Sequence, residues 1–283
     1  MTTAGQVLQG AVRSSVERYT VHAAAIHQAA HAEAVHQARV ALRRLRSDLR
    51  TFEPILDADW SSGFSERLRG LSVALSAARD ADVLIERLER GLTSLAEHRE
   101  RAAAVLDPFH AARREAYAAL CDVLASDRHA VLVQEMAAAA QAPLFAARAL
   151  GDARDELPPV MREVWRQLDK CVGALGDAPS DAHLHRVRIR AKRVRYAAEA
   201  MVPIFDDEAK AFAARVEALQ TILGDQHDAV IACERLRAQR WEDADAAFTA
   251  GELAAIEAAC ANEGRAGCLL YTSPSPRDRQ KAR

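Results

Sequence analysis

Apolar residues recur along most of this chain at three- and four-residue intervals, the period of amphipathic helices. Nowhere does a period-2 run of β-branched residues suggest a strand. The first helical stretch, residues 7–34, carries Val7, Leu8, Val12, Val16, Tyr19 and Ile26 at that spacing. A second follows directly and stops at Pro54, which cannot continue a helix. Asp57, Asp59 and Gly63 mark a turn before a helix over 64–90, with Leu68, Leu71, Leu75, Val83, Leu84 and Leu88 as core positions and Gly91 as its end. A helical pair is predicted over 92–140, broken near Pro108, and the prolines between Gln141 and Pro159 mark a boundary. Beyond it the pattern predicts helices over 160–175, 184–202 (ended by Pro203), 208–240 and 243–263.

The stretch from His36 to Arg50 departs from an ordinary solvated helix. At about 100° per residue, His36, Arg39, Arg43, Arg46 and Arg50 fall within an arc of about 80°, in a column about 21 Å long. Val35, Ala38, Leu42, Leu45, Leu49 and Phe52 take the neighbouring side, which predicts a core face. Solvated helices intersperse acids among their bases. Here the only acid is Asp48, and it points elsewhere. Such a column suits a long anion.

Composition narrows the classes. The 283 residues are enough for one large domain or two small ones, half are apolar, and only 5% are aromatic. Alanine-rich sequence of this kind favours helical bundles over sheets. The 38 basic and 40 acidic residues nearly balance, so no global field draws the chain to nucleic acid or membrane, and the positive charge is local. Only four of the bases are Lys. Five scattered Cys give neither a disulfide framework nor a zinc site, and are expected to be small buried apolar groups in a reducing compartment. With no secretory leader at the start and no run of membrane-spanning length, a cytoplasmic protein is expected. His27 and His31 stand at a spacing two metal ligands could share, but no third ligand falls in register, so no metal and no cofactor are expected.

The basic pattern occurs twice. His36, Arg39, Arg43, Arg44 and Arg46 recur as His185, Arg188, Lys192, Arg193 and Arg195 at an offset of 149 residues, and a proline closes each copy. Downstream, Arg79-Asp80-Ala81 is matched by His227-Asp228-Ala229 at an offset of 148. Val187, Ala191, Val194 and Ala198 take the core side of the second stripe, and Glu199 stands where the first copy has Arg50. The order and spacing predict a duplicated helical unit. The stripes could pair internally with Asp80, Asp82, Asp225 and Asp228, although buried ion pairs add little net stability. Alternatively an anion lies between them and relieves their repulsion.

The two H-x-x-R blocks, the A-R-D-A-D-V block, and the later L-H-R-V-R-I-x-x-K-R-x-R-Y and L-G-D-x-x-D blocks together resemble the CHAD domain, the conserved-histidine α-helical domain family. The resemblance spans residues 4–265. It implies an all-α fold, internally duplicated, of two antiparallel four-helix-type bundles in pseudo-twofold relation around a basic groove or pore. It also implies binding of inorganic polyphosphate without catalysis, and association with polyphosphate granules in bacteria. Carried over by position, the binding residues are His36, Arg39, Arg43, Arg44, Arg46 and Arg50 in the first half, and His185, Arg188, Lys192, Arg193, Arg195 and Tyr196 in the second. Arg79, Asp80, His227 and Asp228 are expected behind them, the two acids orienting arginines.

The domain is expected over 1–265, as halves 1–142 and 158–265. The second half lacks a counterpart to the helix over 110–140, so truncation at its C-terminus is expected; this sequence does not include the CYTH domain that often precedes such domains. The polar, proline-bearing stretch 266–283 reads as a disordered or non-native tail. Three rival functions are separable. Nucleic-acid binding would use the same electrostatics but usually adds stacking aromatics, and only Tyr196 adjoins a stripe. A metal protein is disfavoured because the repeated His lie among bases. A phosphate-processing enzyme would need a nucleotide loop, and no G-x-x-x-x-G-K-[ST] is present.

Overall fold

The computed structural model describes residues 1–28, 32–95 and 102–272. It is all-helical. Helix α1 spans Ala4–Gln28 and α2 Ala32–Thr51, and a 3-10 turn follows at Glu53–Ile55. Next come α3 (Ala58–Arg67), α4 (Arg69–Ser94), α5 (Ala102–Ala125) and α6 (Asp127–Gln141). After a second 3-10 turn at Ala147–Leu150, α7 covers Ala153–Gly173, α8 Asp181–Ala238 and α9 Ala244–Thr272. Among the described residues no strand forms, and no helix is long and apolar enough to cross a membrane.

Several predicted boundaries move, each for a local reason. The stretch 7–34 is not one helix running into the basic one; α1 and α2 are separate and pack along each other. Gly63 lies inside α3, whose start is fixed by Asp57: its carboxylate accepts from the Trp60 amide at 2.8 Å. Gly91 does not end α4 but sits within it, where a Cβ would come 2.8 Å from Leu253 Cδ2, so close packing of α9 explains the glycine. Pro108 lies within α5, and the break comes at Ser126, whose hydroxyl caps α6 by accepting from His129 N at 3.2 Å. Pro158 and Pro159 both lie within α7. The helix carrying Pro203 runs on to Asp206, where φ of 40° and ψ of −120° turn the chain sharply before α8 resumes. Finally, α9 extends to Thr272 with Cys268 buried, so the expected tail does not begin at 266; residues 273–283 lie outside the described residues. Cys121 is exposed, unlike the buried thiols expected.

One core runs through both halves. Leu8, Tyr19, Leu42, Leu45, Leu75, Leu157, Leu184 and Val194 belong to a single apolar cluster, so the halves do not form two separate interiors. A smaller cluster joins the end of α4 and the start of α5 to the far end of α8 and to α9, again mixing the halves. The predicted boundary region is tied down rather than free: Ala4 N donates to Gly151 O and Ala153 N to Thr2 O, both at 3.0 Å, while Asp57 N donates to Leu144 O at 2.9 Å. The core faces expected of α2 and of the start of α8 are buried at every position named above. Removing about a leucine's worth of such contact costs ~2–5 kcal/mol, which is why these two helices can hold unfavourable charge on their flanks.

Asp48 is the exception on the apolar face of α2. It is 4% exposed, and its Oδ1 finds no hydrogen-bond partner among the described residues. Burial first, and the Glu199 carboxylate second, push its carboxyl up to about 8 against the pull of Arg44. The repeat-related position is Ala197, which is fully buried. Because the folded state keeps this proton above the unfolded carboxyl range, wild-type stability should fall as pH rises from about 4 to about 8. Thermal unfolding of Asp48→Asn across that range should show a flatter pH dependence than wild type; parallel curves would refute a buried neutral carboxyl.

Candidate functional site

Helices α2 and α8 bring the two basic stripes into one groove of about 310 Å³, floored in part by α4. Arg39, Arg43, Arg46 and Arg50 face it from α2; His185, Arg188, Lys192, Arg193 and Tyr196 face it from α8. Among the described residues no carboxylate lines it. Ser47 of α2 and Ser72 and Ser76 of α4 add hydroxyls that sequence reasoning missed. Ser72 and Ser76 are four residues apart on the helix that carries Asp80, which is the signal that could have found them.

Matched positions of the sequence repeat make matched contacts. Arg39 donates to Asp80 Oδ1 at 2.9 Å and to Ser76 Oγ at 3.2 Å, and Arg188 lies 3.7 Å from Asp228 Oδ1. The His185 ring lies 4.5 Å, centroid to centroid, from that of His227, while His36 lies close enough to Arg79 for its positive field to disfavour a charged ring. Contacts across the helix crossing are also reciprocal. Arg193 donates to the Arg50 carbonyl at 2.8 Å and to Thr51 Oγ1 at 2.9 Å, and Arg44 meets Glu199, the counterpart of Arg50, at 2.6 Å.

Three predicted residues do not line the groove. Arg44 turns to the opposite side of α2, into a pocket shared with Asp48, Glu199 and α1. Arg195 pairs with Glu199 at 3.3 Å and with Glu217. His36 stays half-buried beside Arg79, with its Nδ1 unpartnered among the described residues. Behind the groove, Arg79 pairs with Glu86 at 3.0 Å. Asp82 leaves the basic stripes altogether: buried, it takes Arg113 at 2.6 Å and the Tyr117 hydroxyl at 2.7 Å. Tyr196 is 3% exposed and sits among cations, with the guanidinium carbons of Arg43, Arg44 and Arg195 at 5.7, 5.2 and 5.3 Å from its ring centroid. Of the His27–His31 pair, His31 lies outside the described residues. Among the described residues no group of three or more possible metal ligands gathers.

The groove's electrostatics are those of crowded, half-desolvated cations. Burial first, then Arg188, Arg43 and Arg39, lower Lys192 to about 6. Burial, then Arg188 and Lys192, lower His185, and burial with Arg188, His185 and Lys192 takes His227 down to about 4. Arg39 and Arg188 are lowered chiefly by burial but remain charged, as guanidinium does in proteins. At neutral pH the groove therefore presents six guanidiniums and an uncharged amine. The Nε atoms of Arg43, Arg46 and Arg188 are buried donors without an acceptor among the described residues. An unmade buried hydrogen bond costs about 1–3 kcal/mol, so these donors add to the cost of crowding the cations here.

Fold and groove define an all-helical protein with a strongly basic groove between two helices. The chain belongs to the CHAD domain family: the CHAD domain model matches residues 10–237. Two uncharacterized Mycobacterium tuberculosis proteins, MT2285 of strain CDC 1551 and Rv2226 of strain H37Rv, are each 34% identical over 226 residues, covering 76% of this chain. The match takes in only 41% of each relative, so this chain spans less than half of their length. Among solved structures, PptA from Streptomyces chartreusis superposes with a TM-score of 0.80 at 24% identity, covering 95% of this chain and 99% of that one. The CHAD domain from the plant Ricinus communis gives 0.72 at 26% identity, covering 96% and 92%.

Lys192 gives a direct test of the desolvated groove. The chain has four lysines, so dimethylation with ¹³C-formaldehyde yields four side-chain NMR signals to titrate. One should titrate near pH 6 and vanish in Lys192→Arg. Four ordinary titrations would show the groove to be open to water.

Proposed function

We propose that this chain binds inorganic polyphosphate in the α2–α8 groove and does not turn it over. The observation that carries the reading is that one groove is lined by six arginines and a lysine from two repeated stripes, without a carboxylate. Polyphosphate has no base edges to read, so repeated charge at regular spacing suffices to recognise it. Forked guanidinium donors suit its oxygens. Membership of the CHAD family agrees with this chemistry. The matched pairs Arg39–Asp80 and Arg188–Asp228, and the reciprocal Arg193–Arg50 and Arg44–Glu199 contacts, support reading the domain as two copies of one unit around the groove. Asp80 and Asp228 act as aligners of Arg39 and Arg188. The bound chain would also place the protein on polyphosphate granules.

Binding is favoured over catalysis because phosphoryl chemistry commonly relies on a divalent ion held by carboxylates, and none lines this groove. RNA fits the groove less well. Sequence-independent single-strand binders stack bases on aromatic faces, and the one aromatic here, Tyr196, is buried with guanidiniums about its ring.

The test is a titration with polyphosphate. Wild type should bind, with affinity falling steeply as salt rises, as counterion release dictates for other polyanions. Reversing Arg39, Arg43, Arg188 and Lys192 to Glu should abolish binding while circular dichroism stays helical; retained binding would refute the groove. Polyphosphate should displace RNA from the protein, and not the reverse. Bound anion favours the charged amine, so binding between about pH 6 and 10 should take up a proton at Lys192, and affinity should rise as pH falls towards 6. Calorimetry in buffers of different ionisation enthalpy reads that uptake directly.

A further inference from the structure

A second basic surface lies beside the groove, on the other flank of α8. Here α7 and the start of α8 enclose a shallow site of about 430 Å³, lined by Arg166, Lys170, Arg186 and Arg190 with Glu163 as its only carboxylate. That carboxylate is already engaged: Glu163 takes Arg166 through both oxygens at 2.8–3.0 Å and the Gln167 amide at 2.7 Å. Arg190 donates only to the neutral Gln167 side chain. Lys170 and Arg186 are exposed and have no carboxylate partner among the described residues. The surface therefore carries positive charge that the chain leaves uncompensated.

This surface is continuous with the groove. Around α8, Arg186 stands only about 20° from Arg193, and Arg190 about 60° from it. Arg193 itself lines the groove. After burial, the largest influences on its guanidinium are Arg190 on one side and Arg50 on the other, so it feels both surfaces at once. The first half has nothing comparable. The repeat-related positions of Arg166, Lys170, Arg186 and Arg190 are Glu17, Val21, Gln37 and Ala41. At these matched positions the positive charge is confined to the second half.

We propose that the α7–α8 face is a second anion subsite that takes the overhanging phosphates of polyphosphate chains too long for the groove, with Arg193 as the junction. The inference rests on the groove being the primary polyphosphate site. It predicts length selectivity, because a short chain satisfies the groove alone while a long one gains the extra contacts.

The test compares Lys170→Ala/Arg186→Ala with wild type, using tripolyphosphate and long-chain polyphosphate over a range of salt concentrations. Both substitutions are at exposed positions outside the groove, and circular dichroism checks that the helices persist. Tripolyphosphate affinity should be unchanged. Long-chain affinity should fall about tenfold, and the slope of log affinity against log salt should drop by about two, one for each cation removed. Unchanged long-chain binding overturns the subsite, and so does equal weakening for both ligands, which would mean that these cations act on the groove itself. Failure of wild type to bind either ligand would instead overturn the groove reading.

Discussion

The structure turns on holding like charges together where water is scarce. Arg39, Arg43, Arg188 and Lys192 converge where α2 meets α8, and each is at least half shielded from solvent. Arginine cannot relieve such crowding by losing its proton, whereas lysine can, so Lys192 is the member that gives way. The crowding is sustained from behind. Leu42, Leu45 and Leu49 on α2 and Val187, Ala191 and Val194 on α8 are all at most 1% exposed. Full burial of one such large side chain stabilises by about 1.5–3 kcal/mol. Several of them outweigh repulsion between guanidiniums that keep one edge in water, where the effective dielectric is high. Arg39 and Arg188 are further steadied from the rim by Asp80 and Asp228, which remain outside the groove lining.

The crossing of the same two helices sorts charge by side. On the groove side the lining is basic. On the other side, toward α1, Arg44 meets Glu199 and the buried Asp48 in a pocket of about 360 Å³. Two single-residue departures between the copies create that asymmetry: Glu199 in place of a second Arg50, and Asp48 in place of a second Ala197. Had Glu199 been arginine, Arg44 and Arg195 would lose the carboxylate that now holds both away from the groove. Tyr196 lines both pockets, so its ring forms part of the partition between them.

Much of this was legible because helical periodicity and charge share one angular frame. The stripe arithmetic put Arg39, Arg43, Arg46 and Arg50 on one face of α2, and every apolar partner named for that helix is buried. The repeat then pointed to Asp80 and Asp228, which meet Arg39 and Arg188. What the chain order hid was decided by contacts between distant segments. Arg44 and Arg195 share the sequence pattern but are captured by Glu199 and Glu217, acids that only packing brings near. Gly91 reads as a helix stop until Leu253 is seen against it. The serines of α4 carry no charge, and only their four-residue register with Asp80 set them apart in the sequence. Cys268 looked foreign to the alanine-rich pattern, yet α9 carries it into the core.

The arrangement also bears on why the groove is built mostly of arginine, with Lys192 as its one titrating amine. A groove of lysines packed this closely would shed several protons at neutral pH and weaken its own field, as Lys192 does. Guanidiniums keep the field whatever the crowding. One lysine among them then acts in the opposite sense. It lowers the repulsion within the groove by being neutral, and on the proposed binding of an anion it would regain its charge. Under that proposal stability and bound-state charge are separated, at the cost of one proton taken from solvent. A single titrating amine is enough for that, because each added lysine would soften the field that the arginines exist to maintain.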